Sequence, residues 1–440
     1  MRMIDTLINA RWVVPVEPPD TVLEHHAVAI DQGRIVDILP CVDAERRYQA
    51  RSTHHFDSHA LIPGLINAHT HAAMSLFRGL ADDLPLMTWL KEHIWPAENR
   101  WVNETFVYDG TALAAAEMLR GGVTCFNDMY FFPEVAARAA VTAGMRACVG
   151  LIVIDFPTVY ASNADEYISR ALTVHDEYKG DALITTAFAP HAPYTVSDDA
   201  LRRVRTFADE LDIPVHMHVH ETADEIGQSI ATHGGRPLQR LAGLGLVSPS
   251  LLAVHMTQLT DADIEQVAGG GAHVLHCPES NLKLASGFCP VHQLMRAGVN
   301  VALGTDGAAS NNDLDMFAEM RTAALLAKAV AGDATTLPAA AALRMATLNG
   351  AIALGLGEQT GSLIAGKSAD IVAVELDRIE ATPLYDPVSQ LIYATGRNQV
   401  TDVWVAGQQV LQGRRLTNLD EAEIRAKACE WSTRIRELQG

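Results

Sequence analysis

The sequence predicts an α/β chain in which a (β/α)8 TIM-like barrel carries a small β-sandwich domain formed by its N- and C-terminal segments. Three observations carry this expectation. Between Leu61 and Asp306, eight short apolar runs alternate with helix-like stretches. Both flanks read instead as extended segments punctuated by turns. Several of the apolar runs carry histidine or aspartate at or just past their carboxyl ends, where such barrels build their sites.

In chain order, residues 1–60 supply the first part of the β domain, with extended segments at Leu7–Pro15, Ala27–Ile30 and Gly33–Leu39 and a turn at Asp31-Gln32-Gly33. Residues 61–366 form the barrel. Its strands are expected at Leu61–Asn67, Val123–Asn127, Ala147–Ile154, Leu183–Ala189, Pro214–Val219, Leu251–His255, His273–His276 and Val301–Gly304. Helices at Tyr108–Arg120, Pro133–Ala143, Ala200–Leu211 and Val291–Arg296 fall between them. Strand-then-helix repetition means parallel strands joined by crossovers, and eight such units point to a closed barrel. Leu337–Leu354 reads as helix; Gly355, Gly357 and Gly361 follow it without the βαβ context of a dinucleotide site. Residues 367–440 return to extended structure at Ile371–Leu376, Val400–Val405 and Gln408–Leu411, then close with a helix at Asp420–Leu438 that covers either the β domain or a partner subunit.

Composition narrows the function classes. With 440 residues, 48% hydrophobic and 20% charged, the chain has ample material for a large core. No apolar run approaches the roughly 20 residues that span a bilayer. The N-terminus carries Asp5 and lacks a small-residue cleavage site, so a cytoplasmic location is expected. Six scattered cysteines without CxxC pairing suggest neither a disulfide framework nor a thiolate metal site. A net charge of −20 without a basic stripe repels phosphate backbones, which argues against nucleic acid and anionic membranes as partners. The expected partner is a small neutral or cationic molecule, and the chain is expected to form a homo-oligomer of unspecified order.

The sharpest local signal is Leu65-Ile66-Asn67-Ala68-His69-Thr70-His71. In an extended chain, residues two apart face the same side, so both imidazoles can meet one ion; the bland alternative is a chance pair among 18 histidines. A second cluster is His216-Met217-His218-Val219-His220-Glu221. Alternation puts its three histidines on one side and Glu221 on the other unless the chain turns there. A carboxylate near a metal-bound water, without being a ligand, is what a proton shuttle requires. His216 and His220 are expected to support or pack rather than ligate. His255 and Asp306 end the sixth and eighth strands; either alone is more often a structural residue, yet their convergence with the other candidates on one barrel mouth is not expected by chance. Three imidazoles and one carboxylate suit zinc with a position left open for water. Two-metal barrel hydrolases usually bridge their ions with a carboxylated lysine on strand four. Here that strand runs Ile184-Thr185-Thr186-Ala187-Phe188-Ala189-Pro190-His191, so one metal is expected.

These residues lie in longer motifs: Pro63-Gly64-Leu65 running into His71, Trp95-Pro96-Ala97-Glu98, Pro190-His191-Ala192-Pro193-Tyr194-Thr195, Cys277-Pro278-Glu279-Ser280-Asn281-Leu282-Lys283-Leu284, and Gly304-Thr305-Asp306-Gly307. Through them the chain resembles the amidohydrolase superfamily over essentially its whole length. Within it, the chain looks like the 5′-methylthioadenosine/S-adenosylhomocysteine deaminases and the related chlorohydrolases and ring deaminases. The resemblance implies one Zn(2+) per subunit, with Fe(2+) as the alternative ion, held by His69, His71, His218 and Asp306. It further implies that Glu221, His255 and Asp306 are catalytic, and that Glu98, His191, Glu221 and Asp306 meet the substrate.

Without the resemblance, Glu98 reads equally as a solvated loop carboxylate and His191 as a packing histidine. Trp89 is a candidate to stack on a purine, against the competing reading of a core tryptophan. Relatives that accept S-adenosylhomocysteine can use arginines near strand three, but Asp155-Phe156-Pro157-Thr158-Val159-Tyr160 has none and Arg146 precedes the strand at the opposite face. The expectation is therefore hydrolytic deamination of an adenine nucleoside, 5′-methylthioadenosine or adenosine before S-adenosylhomocysteine. The alternatives are another ring (guanine, cytosine, a chlorinated triazine) and, more remotely, an inactive scaffold.

Overall fold

The computed structural model describes residues 1–436, so the last two residues of the helix expected at Asp420–Leu438 lie outside the described residues. The chain opens with β1 (Arg2–Val13), β2 (Leu23–Asp31), β3 (Arg34–Pro40) and β4 (Tyr48–Pro63). It then enters β5 (Leu65–Thr70), β6 (Val123–Tyr130), β7 (Arg146–Val153), β8 (Ile184–Pro190), β9 (Val215–Val219), β10 (Leu251–His255), β11 (His273–His276) and β12 (Val301–Leu303). It ends with β13 (Ile371–Glu375), β14 (Val400–Val405), β15 (Gln408–Gln412) and the short β16 (Arg415–Leu416). No helix among the described residues is long and apolar enough to cross a membrane.

Strands β5 to β12 pair in parallel in chain order. Every residue of β5, β6, β7, β9 and β10 is buried, as befits a parallel sheet covered by helices on one face and filled by side chains on the other. The ring closes where the end of β12 meets β5. The Asp306 amide donates to the His69 carbonyl (3.0 Å) and the Thr305 amide to Asn67 Oδ1 (3.0 Å). Gly304 sits at that seam, where an added Cβ would fall 2.6 Å from the His69 nitrogen, so only glycine lets the two backbones approach.

The flanks interleave in one eight-stranded mixed sheet, ordered β16-β15-β14-β13-β4-β1-β2-β3. The sheet curls so that the β2–β3 turn meets the β14–β15 turn: a Cβ on Gly33 would lie 2.6 Å from the Ala406 carbonyl oxygen. Its inner face buries Ile8, Val13, Val28, Ile35, Leu61, Ile371 and Trp404.

The first barrel strand, expected at Leu61–Asn67, straddles two sheets. Leu61–Pro63 finishes β4, antiparallel to β13, and the barrel strand begins at Leu65. The long β4 went unread because its first half, Tyr48 to Ser58, is mostly polar and exposed. Arg146 does stand at the lower rim of the barrel, where Nε and Nη2 donate to Asp370 Oδ2 (2.7 Å) and Ser368 Oγ (2.7 Å), a buried tie between barrel and terminal sheet. The helix Glu421–Arg436 packs on the barrel helix Glu104–Arg120, with Trp431 Nε1 donating to Asp109 Oδ2 (3.0 Å). Trp431 packs edge-on against Phe106 of that barrel helix, and at the start of the C-terminal helix Glu421 accepts from the Leu416 amide of β16.

Candidate active site

Every strand-end candidate reaches the same end of the barrel. The potential ligand atoms of His69, His71 and Asp306 lie within 4.8 Å of one another, and so do those of His69, His218 and His255. Asp306 Oδ1 is 3.3 Å from His69 Nε2 and 3.2 Å from His71 Nε2, and the Nε2 atoms of His69 and His218 are 3.3 Å apart.

Each ring is held by its other nitrogen. His71 Nδ1 donates to the Met129 carbonyl (2.5 Å), His218 Nδ1 to the His191 carbonyl (2.8 Å) and His255 Nδ1 to Asn281 Oδ1 (2.9 Å). His69 Nδ1 meets His216 Nε2 at 2.8 Å, which makes His216 the support for His69. With Nδ1 protonated and engaged, each Nε2 presents its lone pair to a common point, the orientation that metal-binding imidazoles need. Asp306 is fixed in the same way: Oδ2 accepts from Ser280 Oγ (2.6 Å) and Ser310 Oγ (2.8 Å), and Oδ1 from the Gly307 amide (2.8 Å). The donor set therefore fits one zinc ion, with three neutral nitrogens and one carboxylate oxygen around it.

Glu221 arrives by a turn that strict alternation does not foresee. His220 adopts a left-handed φ of 55°, so the strand ends there and Glu221 swings into the cleft. The turn is held from several directions. The Glu225 carboxylate accepts from the amides of His220 (3.1 Å) and Glu221 (2.7 Å). His220 itself accepts from the Leu238 amide at Nε2 (3.1 Å) and donates from Nδ1 to the Gln258 carbonyl (3.2 Å), so it does not share a side with His216 and His218. His255 (φ 73°), Met256 (φ 51°) and Asp306 (φ 60°) adopt the same costly conformation, of order 1–2 kcal/mol each, and all lie at the strand ends that form this site. Glu221 Oε2 and His255 Nε2 face each other at 3.8 Å.

Burial and charge set the protonation states. Burial pulls His69 down to about 4 and His218 well below the ordinary range, leaving both neutral, the form that ligates. Burial also lowers His71, but the hydrogen bond and charge of Asp306, with the Met129 carbonyl and the Asp128 charge, together outweigh this and raise it to about 9; a cation bound beside it would displace that proton. Burial would raise Asp306, but its close contacts with the His69 and His71 imidazoles hold it well below the carboxylate range. Burial pushes Glu221 up, with the Asp306 charge adding to the rise. Glu98 is pushed up to about 7, again chiefly by burial. His191 falls to about 3 by burial and the neighbouring imidazoles.

Above the metal-ligand cluster opens a cleft lined by Trp89, Glu98, Tyr130, His191, Tyr194 and Leu284, among others. Glu98 sits on the helix Trp95–Trp101, with Pro96 in its first turn, and lines the cleft, unlike the solvated loop carboxylate that was its alternative reading. Trp89 is buried, 6% exposed, with Nε1 donating to the Ala81 carbonyl (3.1 Å), as the core reading expected, and it also borders the cleft. The supporting groups Ser280 and Asn281 lie within a motif already noted. Nothing in the sequence marks Ser310, or Asp128, whose Oδ1 accepts from the Ala72 amide (2.7 Å) just past His71.

A parallel barrel whose strand ends gather oriented imidazoles and an aspartate beneath a cleft with a raised carboxyl defines a metal-dependent barrel hydrolase. The chain belongs to the amidohydrolase family, which it matches over residues 60–410. It is 51% identical over 432 residues to a 5-methylthioadenosine/S-adenosylhomocysteine deaminase of Saccharophagus degradans, covering 98% of this chain and 97% of that one. Its fold superposes with a TM-score of 0.98, at 58% identity and 99% coverage of both chains, on an adenosine deaminase from Xanthomonas campestris with bound zinc. An atrazine chlorohydrolase from Arthrobacter aurescens, 22% identical with a TM-score of 0.90 over 97% of this chain and 100% of that one, shares the fold.

Proposed function

We propose that this protein is a zinc-dependent aminohydrolase that releases ammonia from C6 of an adenine nucleoside, with 5′-methylthioadenosine the favoured substrate, adenosine next and S-adenosylhomocysteine last. The observation that carries the reading is the set of Nε2 atoms and the Asp306 oxygen, each fixed from behind and turned to one point beneath Glu221. The names of the near-full-length relatives support an adenine nucleoside as substrate. Among the described residues that line the cleft there is no lysine or arginine, which favours an uncharged 5′ tail.

His69, His71, His218 and Asp306 hold the ion in this reading. Bound there, zinc acts as a Lewis acid that brings the pKa of water toward about 7. Asp306 accepts the proton of the attacking water while His255, fixed by Asn281, orients it toward C6. Glu221, whose carboxyl is pushed up by burial, gives its proton to N1, so that C6 accepts the hydroxyl and becomes tetrahedral. The proton on Asp306 then passes to the amino group, the C6–N bond breaks, and the hydroxyl proton returns to Glu221. The products are ammonia and the 6-oxo nucleoside, with N1 protonated and both carboxyls reset. Glu98 receives the ribose diol, since one carboxylate accepts two hydrogen bonds from vicinal hydroxyls. His191 contacts the bound nucleoside, and Trp89 borders it.

We further read the enzyme as cytoplasmic, in keeping with six free thiols, and as a homo-oligomer, for which Ile379 and Tyr385, 85% and 92% exposed, offer apolar contact surface. Light scattering on the purified protein tests the assembly. The test of function is ammonia release from methylthioadenosine, adenosine, S-adenosylhomocysteine, adenine, guanine and cytosine by zinc-loaded protein. Preference for the nucleosides supports the reading; turnover of a free base alone would remove the ribose role of Glu98 and make the enzyme a base deaminase.

A further inference from the structure

The mouth of the cleft is more apolar than its floor. The loop after β7 places Phe156 and Val159 there, 42% and 36% exposed, with Pro157 between them. Across the opening stands Trp95, its ring 6.5 Å from that of Phe156 in an edge-to-face arrangement, with Leu90 one helical turn earlier. On the loop after β7 the side-chain polar groups are engaged within the protein. Thr158 Oγ1 is bonded to the Tyr167 hydroxyl and accepts from the Tyr160 amide (3.2 Å). Asp155 accepts from the Ser197 amide (2.6 Å) and puts a negative charge beside Phe156. Large exposed apolar side chains at the rim of a site are solvated at a cost unless something covers them.

Trp95 and Glu98 share the helix Trp95–Trp101 and line the same cleft as Phe156, so a ribose held at Glu98 carries its 5′ carbon beside them. Resting on the deaminase reading above, we infer that Trp95, Phe156 and Val159 form an apolar collar for the 5′ substituent, and that the enzyme accepts adenosines bearing 5′-alkylthio and 5′-arylthio groups larger than methyl. The collar, and not only the absence of a cation, sets the order of substrates. An alkyl or aryl chain covers Phe156 and Val159, whereas the zwitterionic end of a homocysteine tail meets apolar rings, with no lysine or arginine among the described lining residues to pair with its carboxylate.

The test is kcat/KM of the zinc-loaded enzyme for adenosine and for the methylthio, propylthio and phenylthio derivatives of 5′-deoxyadenosine, with S-adenosylhomocysteine alongside. Calorimetric Kd values for the matching inosine products supply a reading independent of turnover. The expected result is a rise of about threefold per added methylene until the collar is filled, seen in both kcat/KM and product affinity. Phe156→Ala should flatten that slope, and Phe156→Arg should raise the ratio of S-adenosylhomocysteine to methylthioadenosine by about tenfold or more. A flat series, or S-adenosylhomocysteine equal to methylthioadenosine in the unaltered enzyme, would overturn the collar while leaving the deaminase reading intact. Failure of all adenine nucleosides would overturn both.

Discussion

Glu221 and Glu98 share one cleft and are both raised by burial, yet each is needed in a different protonation state. Glu221 is needed as an acid, so Glu221→Gln should leave zinc content unchanged while lowering kcat by about 10²- to 10⁴-fold, measured by metal analysis and steady-state kinetics. Glu98 is needed as a carboxylate to accept the diol. With its pKa pushed up to about 7, the contribution is present above that pH and lost as pH falls through it. The KM for adenosine should therefore climb below about pH 7, and Glu98→Gln or a 2′,3′-dideoxy substrate should remove that limb of the profile. A pH-independent KM ratio between the two substrates would remove Glu98 from the ribose. The metal-ligand candidates were legible from residue type and placement at the strand ends, and the choice among them from the family motifs. Ser280 stood in a noted motif without a role and Ser310 was not marked at all, because a hydroxyl is common anywhere and only the fold brings these two to Asp306 Oδ2. Losing either should lower kcat or zinc affinity by about 10-fold with the fold intact, checked by kinetics and metal competition.

At the scale of elements, strand type and order were readable because buried parallel strands leave near-continuous apolar runs, as in Leu251–His255. Ends were less so. Whether Glu221 faces the cleft depends on the left-handed turn at His220, which Glu225 and the Leu238 amide hold from elements further along the chain. The turn is also tied to the next helix through the Thr222 side chain, which accepts from the Glu225 amide (3.3 Å) as its N-cap. Thr222→Ala should cost about 1 kcal/mol of stability by denaturant titration and lower kcat more than KM. The tie between barrel and terminal sheet belongs here as well. Asp370→Ala would strand the buried Arg146 guanidinium and should destabilise the protein by about 3 kcal/mol without changing the site's chemistry, as read by thermal unfolding.

For the molecule as a whole, the barrel mouth packs imidazoles around Asp306 at separations that favour an intervening cation. Chelation should lower the unfolding temperature by several degrees, with zinc restoring it in a concentration-dependent way, since an ion that binds only the folded state stabilises it by mass action. The sequence by itself determined the alternation of strands and helices, the pairing of both ends in a β domain, and the residue types able to hold a metal and move a proton, because period, polarity and spacing are local properties of a chain. Tertiary structure alone decided that Leu61–Pro63 belongs to the terminal sheet, that His216 supports His69, that His220 turns Glu221 inward, and that the last helix lies on Glu104–Arg120. Each of these depends on a partner tens to hundreds of residues away or on a backbone angle fixed by packing, and neither is written in the local pattern of side chains.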